Sequence, residues 1–193
     1  MPPKVRITRE MIIQAGFAIV REEGAHALNA RTVAQRLGCS TQPVLYQFAT
    51  VEDVRKAVYA CADEFHTNCI MQGLEESEMP ILTLGLNYIR FAAEEARLFR
   101  FLFQSSGLGS GNVLDLINAP ALSPILEILQ QAAGVTPEAA RRIFLQLFLT
   151  IHGYASLLAN NPIPYNENEA LQLLDSAFSG ACAAEISIRE DQP

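Results

Sequence analysis

The segment from Ser40 to Phe48 carries side chains that can bind DNA, at the spacing of a short helix. Thr41 and Gln42 can form hydrogen bonds with base edges, and a glutamine amide suits adenine because it both donates and accepts. Gln47 can reach a base or a phosphate, and the Tyr46 hydroxyl can donate to a phosphate. The alternative is a helical hairpin with an ordinary solvated face, which these residue types alone do not exclude.

A preceding helix and a tight turn would hold this segment in place. Asn29 and Ser40 can each cap a helix, and Gly38 lies between them, where a left-handed backbone costs least. Pro43 is tolerated in the first turn, where its missing N–H has no helical partner to lose. We expect Val44 to face outward. The expected shared core consists of Val33, Ala34, Leu37, Leu45 and Phe48. This pattern predicts a helix-turn-helix, whose second helix enters the major groove.

Basic and polar residues outside the second helix would hold the DNA backbone. Arg31 and Thr32 begin the preceding helix and would contact phosphates, which fixes the register of the protein on the duplex. Lys4 and Arg6 form a short basic arm before the first helix. The arm would touch a phosphate or the minor groove, or else remain a solvated terminus.

The stretch from Ile7 to about Val58 resembles the N-terminal domain of TetR-type (TetR/AcrR) transcriptional regulators. The marks that carry the resemblance are the Gly24 helix stop, the Val33-Ala34 pair, Leu37-Gly38 and the Tyr46-x-Phe48 ending. Several marks at fixed spacing are far more specific than one short motif. The family usually has a phosphate-contacting lysine near the start of the next helix. This chain has Val51 at that position, so Arg55 or Lys56 would have to take its place.

Charge is distributed unevenly along the chain. The 193 residues carry a net charge of −7, but residues 1–56 hold eight Lys or Arg against five acids, and the remainder holds six against sixteen. Phosphate attraction is local and is screened within about 10 Å at moderate salt. The basic end would therefore meet the DNA, although its net charge of +3 is low for a strong DNA binder.

Residues 51–193 are expected to form a helical effector-binding and dimerisation domain after a DNA-binding domain at residues 1–50. The segment YIRFAAEEARLFRFLF is similar to a stretch common in TetR-type ligand-binding domains, although the match is looser than the N-terminal one. Residues 137–160 are apolar nearly all the way round a helix, so both sides must be covered. The resemblance implies that this helix and the last one pack against a second copy of the chain as a four-helix bundle.

Aromatic and polar residues in the second domain are candidates for an effector pocket. A small, largely apolar molecule needs an apolar lining with a few polar groups. The candidates are Phe65, Tyr88, Phe91, Phe101, Phe103, Phe148, His152 and Tyr154. Tyr88, His152 or Tyr154 would supply the polar handle. An ordinary core position is the simpler interpretation for any one of these residues.

Catalytic, cofactor and metal sites are not indicated. The three histidines lie far apart, and no HExxH, GxSxG or glycine-rich phosphate loop occurs. His66 and Cys69 have the spacing of half a metal site, which is weak by itself. We expect neither an enzyme nor a cofactor. The N-terminus lacks an apolar signal core and no run of 18 apolar residues occurs, so we expect a cytoplasmic protein without a membrane partner.

The patterns and the resemblance together predict an all-α protein, with a three-helix helix-turn-helix domain followed by a helical ligand-binding and dimerisation domain. The implied function is that of a bacterial transcriptional regulator. It would be a homodimeric repressor on a double-stranded DNA operator, released by a small, largely apolar effector; activation stays open. The alternative is a helical dimeric ligand-binding or interaction module without DNA binding, which the low charge of the first domain and Val51 favour.

Overall fold

The structure, a computed structural model, describes residues 6–104 and 122–190, with side chains up to residue 186. Lys4 of the expected arm lies outside the described residues. The helices in the described ranges are α1 (Arg9–Glu23), α2 (Ala30–Arg36), α3 (Thr41–Gln47), α4 (Val51–Met71), α5 (Pro80–Glu94), α6 (Ala96–Phe103), α7 (Ser123–Ala133), α8 (Pro137–Asn160) and α9 (Glu167–Glu190). A short 3-10 turn, Ala25–Ala27, lies between α1 and α2. No strand occurs in these ranges, and the expected all-α class is confirmed.

The helices pack into two units. The first comprises Met1–Asn68 and Glu95–Leu108, and the second comprises Cys69–Glu94 and Gly109–Pro193. The segment that follows α5 therefore returns to the N-terminal helices. These units are defined by packing alone, so the functional division near residue 50 stays a prediction.

Helix starts follow the capping residues in the sequence. The Thr8 hydroxyl accepts from the Met11 N–H at 3.2 Å, and the Thr136 hydroxyl accepts from the Ala139 N–H at 3.3 Å. Asn166 begins α9 in the same way. In each case the side chain satisfies a backbone donor that has no partner within the helix.

The first unit has a core that α1, α2 and α3 share with α4 and α6. Its most deeply buried side chains include Ile12, Ile19, Val33, Val44, Phe48, Val58, Phe99, Phe101 and Leu102. Arg21 on α1 and Glu95, just before α6, form a bidentate ion pair, in which the Arg21 Nε lies 3.0 and 2.9 Å from the two carboxylate oxygens. This pair fixes the start of α6 against α1.

The second unit is a bundle of α5, α7, α8 and α9. Its core includes Ile81, Ile89, Leu129, Ile143, Leu147, Leu174 and Phe178. Glu185 on α9 is buried, and both of its carboxylate oxygens accept hydrogen bonds from the Arg142 guanidinium on α8, at 2.8 and 2.6 Å. A buried carboxylate is tolerated because this partner compensates its charge. The ion pair therefore fixes the register of α8 against α9.

The long helix α8 has one buried and one exposed apolar side. Leu147 and Leu158 lie in the core, whereas Leu149 and Leu157 are 54% and 53% exposed. Among the described residues, α8 is the one helix whose length and composition would suffice to cross a membrane. A single helix of this kind is weak evidence for a membrane span, because core helices of soluble proteins have the same composition.

Gly16 on α1 allows a close approach of α4. A Cβ atom at position 16 would lie 2.5 Å from Cγ2 of Val58 and 3.2 Å from Cδ1 of Leu28. Val58 is fully buried and Leu28 nearly so, so neither can move freely to make room.

We therefore expect Gly16→Ala to lower the free energy of unfolding by about 1–3 kcal/mol, which is the usual cost of overpacking a core. Urea denaturation measures the change. In a Val58→Ala background the substitution should cost much less, because the clashing methyl group is gone. An equal cost in both backgrounds would contradict this contact as the source.

Candidate functional site

The helix α2, a short turn and α3 form the predicted helix-turn-helix. The Asn29 side chain accepts from the N–H groups of Arg31 and Thr32, both at 3.0 Å, and so caps α2. Gly38 has φ +64°, and the following Cys39 N–H donates to the Ala34 carbonyl at 3.0 Å. These bonds end α2 and turn the chain into α3, as the glycine predicted.

The exposed face of α3 differs from the expected one at two neighbouring positions, 44 and 45. Val44, which we expected to face DNA, is fully buried, and Leu45, which we expected in the core, is 50% exposed. The reason is that Val44 lies one helical turn before Phe48, whose N–H donates to the Val44 carbonyl at 3.0 Å. Since Phe48 is buried, Val44 shares its side of the helix. Val44 is a core residue, and its assignment to DNA was wrong.

Ser40 occupies the N-cap position of α3, but its side chain forms no capping hydrogen bond. An N-cap oxygen normally accepts from the second or third N–H of the helix. Pro43 is the third residue of α3 and has no N–H, so one of the two usual donors is missing. The expected Ser40 cap was wrong for this reason.

The Thr32 hydroxyl forms hydrogen bonds with backbone groups of the protein itself. Its hydroxyl donates to the Ala27 carbonyl at 2.6 Å and accepts from the Asn29 N–H at 3.2 Å. The hydroxyl proton is therefore engaged within the protein in this structure, and the phosphate contact of Thr32 stays a prediction. Arg31, its neighbour, is exposed and stays a candidate for a phosphate contact.

Gln47 joins α3 to the start of α1. Its side-chain amide donates to the Ile7 carbonyl at 3.2 Å, and the Arg9 guanidinium donates to the Gln47 carbonyl at 3.4 Å. The side chain is half-buried and its amide already holds the N-terminal segment. It is therefore less available for a hydrogen bond to a base. Sequence reasoning missed this link, because Gln47 and Ile7 are 40 positions apart.

The side chains that remain outward on α3 are few and mostly neutral. Thr41 and Gln42 are exposed, Pro43 is half-buried, and Tyr46 is 86% exposed. A groove of about 540 Å³ runs along this side of the helix. Its lining consists of Arg6, Ile7, Ser40, Gln42, Pro43, Tyr46 and Gln47. The groove places a basic arm residue beside the candidate base-reading side chains.

Three of the effector-pocket candidates come together in the second unit. The Tyr88 hydroxyl on α5 lies 2.8 Å from Nδ1 of His152 on α8. Phe148 packs edge-on against the Tyr88 ring and stacks with His152 at a centroid distance of 5.4 Å. Phe144 extends this stack along α8 at 5.9 Å from Phe148. The resulting aromatic cluster, Tyr88, Phe144, Phe148 and His152, includes one hydrogen-bonded polar pair.

Burial keeps this polar pair uncharged near neutral pH. It raises the pKa of the Tyr88 hydroxyl far above its ordinary value and lowers the pKa of His152. A phenol and a neutral imidazole can both donate and accept hydrogen bonds. The pair can therefore bind a neutral polar group of a ligand without the cost of burying a charge.

The other candidates for the effector pocket are divided between the two units. Phe91 is buried in the second unit, and Tyr154 packs partly buried against its core. Phe65, Phe101 and Phe103 belong to the first unit.

Each of the first-unit aromatics has its own ring partner there. Phe65 packs edge-on against Phe17 at 5.4 Å, and Phe101 against Tyr59 at 5.8 Å. Phe103 lies 5.1 Å from the His66 ring. Phe101 is buried, whereas Phe65 and Phe103 are half-buried, and a role of these rings in effector binding stays a prediction.

Within the described ranges, the structure does not add further ligands to His66 and Cys69, the two residues with the spacing of half a metal site. Among the residues that the structure describes, no group of three or more His, Cys, Asp or Glu side chains is placed to hold a metal ion. His66 is buried beside Phe103, and burial lowers its pKa to about 4.

The fold and these sites define an all-α protein with an N-terminal helix-turn-helix and a separate helical bundle. The family model described as "Tetracyclin repressor-like, C-terminal domain" matches residues 81–179, just over half of the chain. The chain therefore belongs to the TetR family of ligand-responsive transcriptional regulators, as the sequence resemblance indicated. Regulators of this family are generally not enzymes.

A solved structure shares this fold. The crystal structure of the multidrug binding protein EbrR complexed with imidazole matches with a TM-score of 0.55 and 21% identity, over 88% of this chain and 88% of that one. At this identity the likeness shows the fold alone. No curated protein shows significant sequence similarity to the chain.

The burial of His66 predicts a pH dependence of stability. Its pKa is about 4 in the folded chain and about 6.5 when unfolded, so the unfolded chain binds more protons between these values. Stability should therefore fall as the pH drops from 6.5 towards 4, by about 2 kcal/mol between pH 7 and pH 5. Urea denaturation at both pH values measures this loss. The loss should be about 2 kcal/mol smaller in His66→Leu, and an unchanged loss in that variant would refute the assignment.

Proposed function

We propose that this protein is a bacterial, cytoplasmic repressor that binds a double-stranded DNA operator as a homodimer and is released by a small, largely apolar effector. The observation that carries the proposal is the division of α3 into two sides. Val44 and Phe48 anchor the helix in the core, while Thr41, Gln42 and Tyr46 are exposed. A rigidly anchored helix with a polar outer face is what major-groove recognition requires.

DNA affinity should depend strongly on dimerisation. The basic end of the chain has a net charge of only +3, so one copy gains little from phosphate attraction. Two copies would present their recognition helices at about one helical turn of DNA, roughly 34 Å apart. A pseudo-palindromic operator then gives each helix a half-site.

The exposed side of α8 supports a dimer of the last two helices. Gln146, Leu149, Gly153 and Leu157 are all exposed and recur at helical spacing along one side. Apart from atoms of its own helix, Gly153 has nothing in the described part of the chain within 4 Å of the position where a Cβ would lie, so another helix can approach closely there. Leu171 and Leu173 on α9 are also exposed apolar residues. Covering these leucine side chains with a second copy would contribute apolar burial to a homodimer interface.

The aromatic cluster of Tyr88, Phe144, Phe148 and His152 is the proposed effector site. It combines stacked rings with one uncharged polar pair, which suits a largely apolar molecule with a hydrogen-bonding group. The cluster joins α5 to α8, so a ligand that separates or tilts these helices would change the dimer. A coupling of about 1–3 kcal/mol between effector and DNA binding would suffice for regulation.

Gel-shift assays with fragments from around its own gene test the proposal as a whole. A retarded complex at low salt that weakens as salt rises is the expected result. If no fragment is retarded at low salt, the repressor proposal fails. The alternative function is then favoured, a helical dimeric ligand-binding or interaction module without DNA binding.

Gln42→Ala should weaken operator binding by about 1–3 kcal/mol while leaving binding to random-sequence DNA nearly unchanged, because a base reader contributes specificity. Fluorescence anisotropy with both duplexes measures the difference. Gln35→Ala is a matched control, since Gln35 is an exposed glutamine on α2. Equal losses on the two duplexes would remove Gln42 from the base-reading set.

Leu149→Glu should convert the dimer into monomers, because it places a charge in the proposed interface between copies. Light scattering reports the mass. Gln131→Glu on α7 introduces the same side chain at another exposed position and should leave the dimer intact. A Leu149→Glu protein of unchanged dimer mass would place the interface elsewhere.

A further inference from the structure

The geometry points to a phosphate-binding subsite, formed by Arg9 and Lys56, beside the C-terminal end of α3. The inference rests on the proposed DNA binding. It chooses Lys56 from the two α4 residues that the sequence left open and adds Arg9, which no pattern in the sequence selected. Arg9 begins α1, and Lys56 lies in the second turn of α4. The two residues are 47 positions apart, and only folding brings them to one groove.

A groove of about 470 Å³ joins these side chains. Its lining consists of Arg9, Gln47, Phe48, Ala49, Asp53, Lys56 and Ala57. The backbone at its edge is the end of the recognition helix and the turn that follows it. A phosphate of DNA lying along α3 would therefore meet two cationic side chains there.

Arg9 is held in place before any DNA binds. Its Cζ lies 4.0 Å from the centroid of the Phe48 ring, which is 2% exposed. Its Nη1 also donates to the Gln47 carbonyl at 3.4 Å. A guanidinium over an aromatic ring keeps its charge and has further N–H groups directed elsewhere. Such a preorganised cation loses less side-chain entropy when it binds a phosphate.

The acid in the groove is partly compensated. Oδ2 of Asp53 accepts from the Thr50 N–H at 3.0 Å and from the Thr50 hydroxyl at 2.7 Å, in the capping box that begins α4. Arg9 and Lys56 contribute two positive charges against this single negative one. The groove therefore keeps a net positive charge, which favours an anion.

The structure also separates Lys56 from its neighbour Arg55. The Arg55 guanidinium donates to the Ala25 carbonyl at 3.4 Å, lies 3.9 Å from the Glu52 carboxylate, and is 5.9 Å from the Phe101 ring centroid. Lys56 is exposed and lines the groove. Of the two residues left open by the sequence, the geometry selects Lys56 for the phosphate.

Gln47 links this subsite to the groove that contains Arg6, because Gln47 lines both. A backbone contact at the end of α3 would fix how far the helix lies along the groove of DNA. The exposed Gln42, one turn and a half earlier, would then meet a defined base.

The experiment compares the salt dependence of DNA binding in Lys56→Gln, Arg9→Gln and the control Arg55→Gln. The probes are a duplex from the region upstream of its own gene and a random-sequence duplex of equal length. Each lost phosphate contact should lower the slope of log K against log salt by about 0.9 per protomer bound. We expect this change in Lys56→Gln and Arg9→Gln on both duplexes, and none in Arg55→Gln.

The outcomes separate this inference from the proposed function. If the unmodified protein binds neither duplex at low salt, both fail. If it binds and the Lys56→Gln slope is unchanged, or if Arg55→Gln loses as much as Lys56→Gln, the subsite is wrong while DNA binding stands. A loss in Arg9→Gln that is confined to the upstream duplex would mean that Arg9 only holds α3, which overturns its assignment to phosphate. Thermal melts of all variants establish that each is folded.

Discussion

Burial of Val44 and Phe48 is the constraint on which the DNA-facing surface depends. Val44 lies on α3 and Phe48 directly follows the helix, one turn further on; both side chains are almost completely excluded from water. Full burial of each contributes about 1.5–3 kcal/mol, far more than any single exposed hydrogen bond on the helix. The orientation of α3 is therefore set by its core side, and Thr41, Gln42 and Tyr46 are outward as a consequence.

The same anchor organises the residues around it. Phe48 supports the Arg9 guanidinium, and the Gln47 carbonyl accepts from it. The Gln47 side chain in turn holds the backbone at Ile7. A chain of contacts thus runs from the core of the first unit to its basic surface, and the positions of the cations depend on the packing beneath them.

In the second unit, one helix serves several purposes. The core side of α8 packs in the bundle, its aromatic residues pair with Tyr88, and Leu149 and Leu157 remain exposed. The sequence showed that α8 is apolar nearly all round, which explains why it needs cover on more than one side. Which of its residues pack, stack or remain exposed depends on how it is rotated against α5 and α9, and that rotation leaves little periodic signal in a helix that is apolar nearly all round.

The sequence by itself determined the helix starts at Thr8, Asn29, Thr136 and Asn166, the turn at Gly38 and the family. Caps and turns are local, because a side chain bonds a backbone group two or three residues away. The tertiary structure alone decided that Val44 and not Leu45 is buried. It also decided that Gln47 holds Ile7, and that Arg9 and Lys56 share a groove. These outcomes join residues about 40 or more positions apart or depend on the rotation of a seven-residue helix, which a periodicity over so few residues cannot fix.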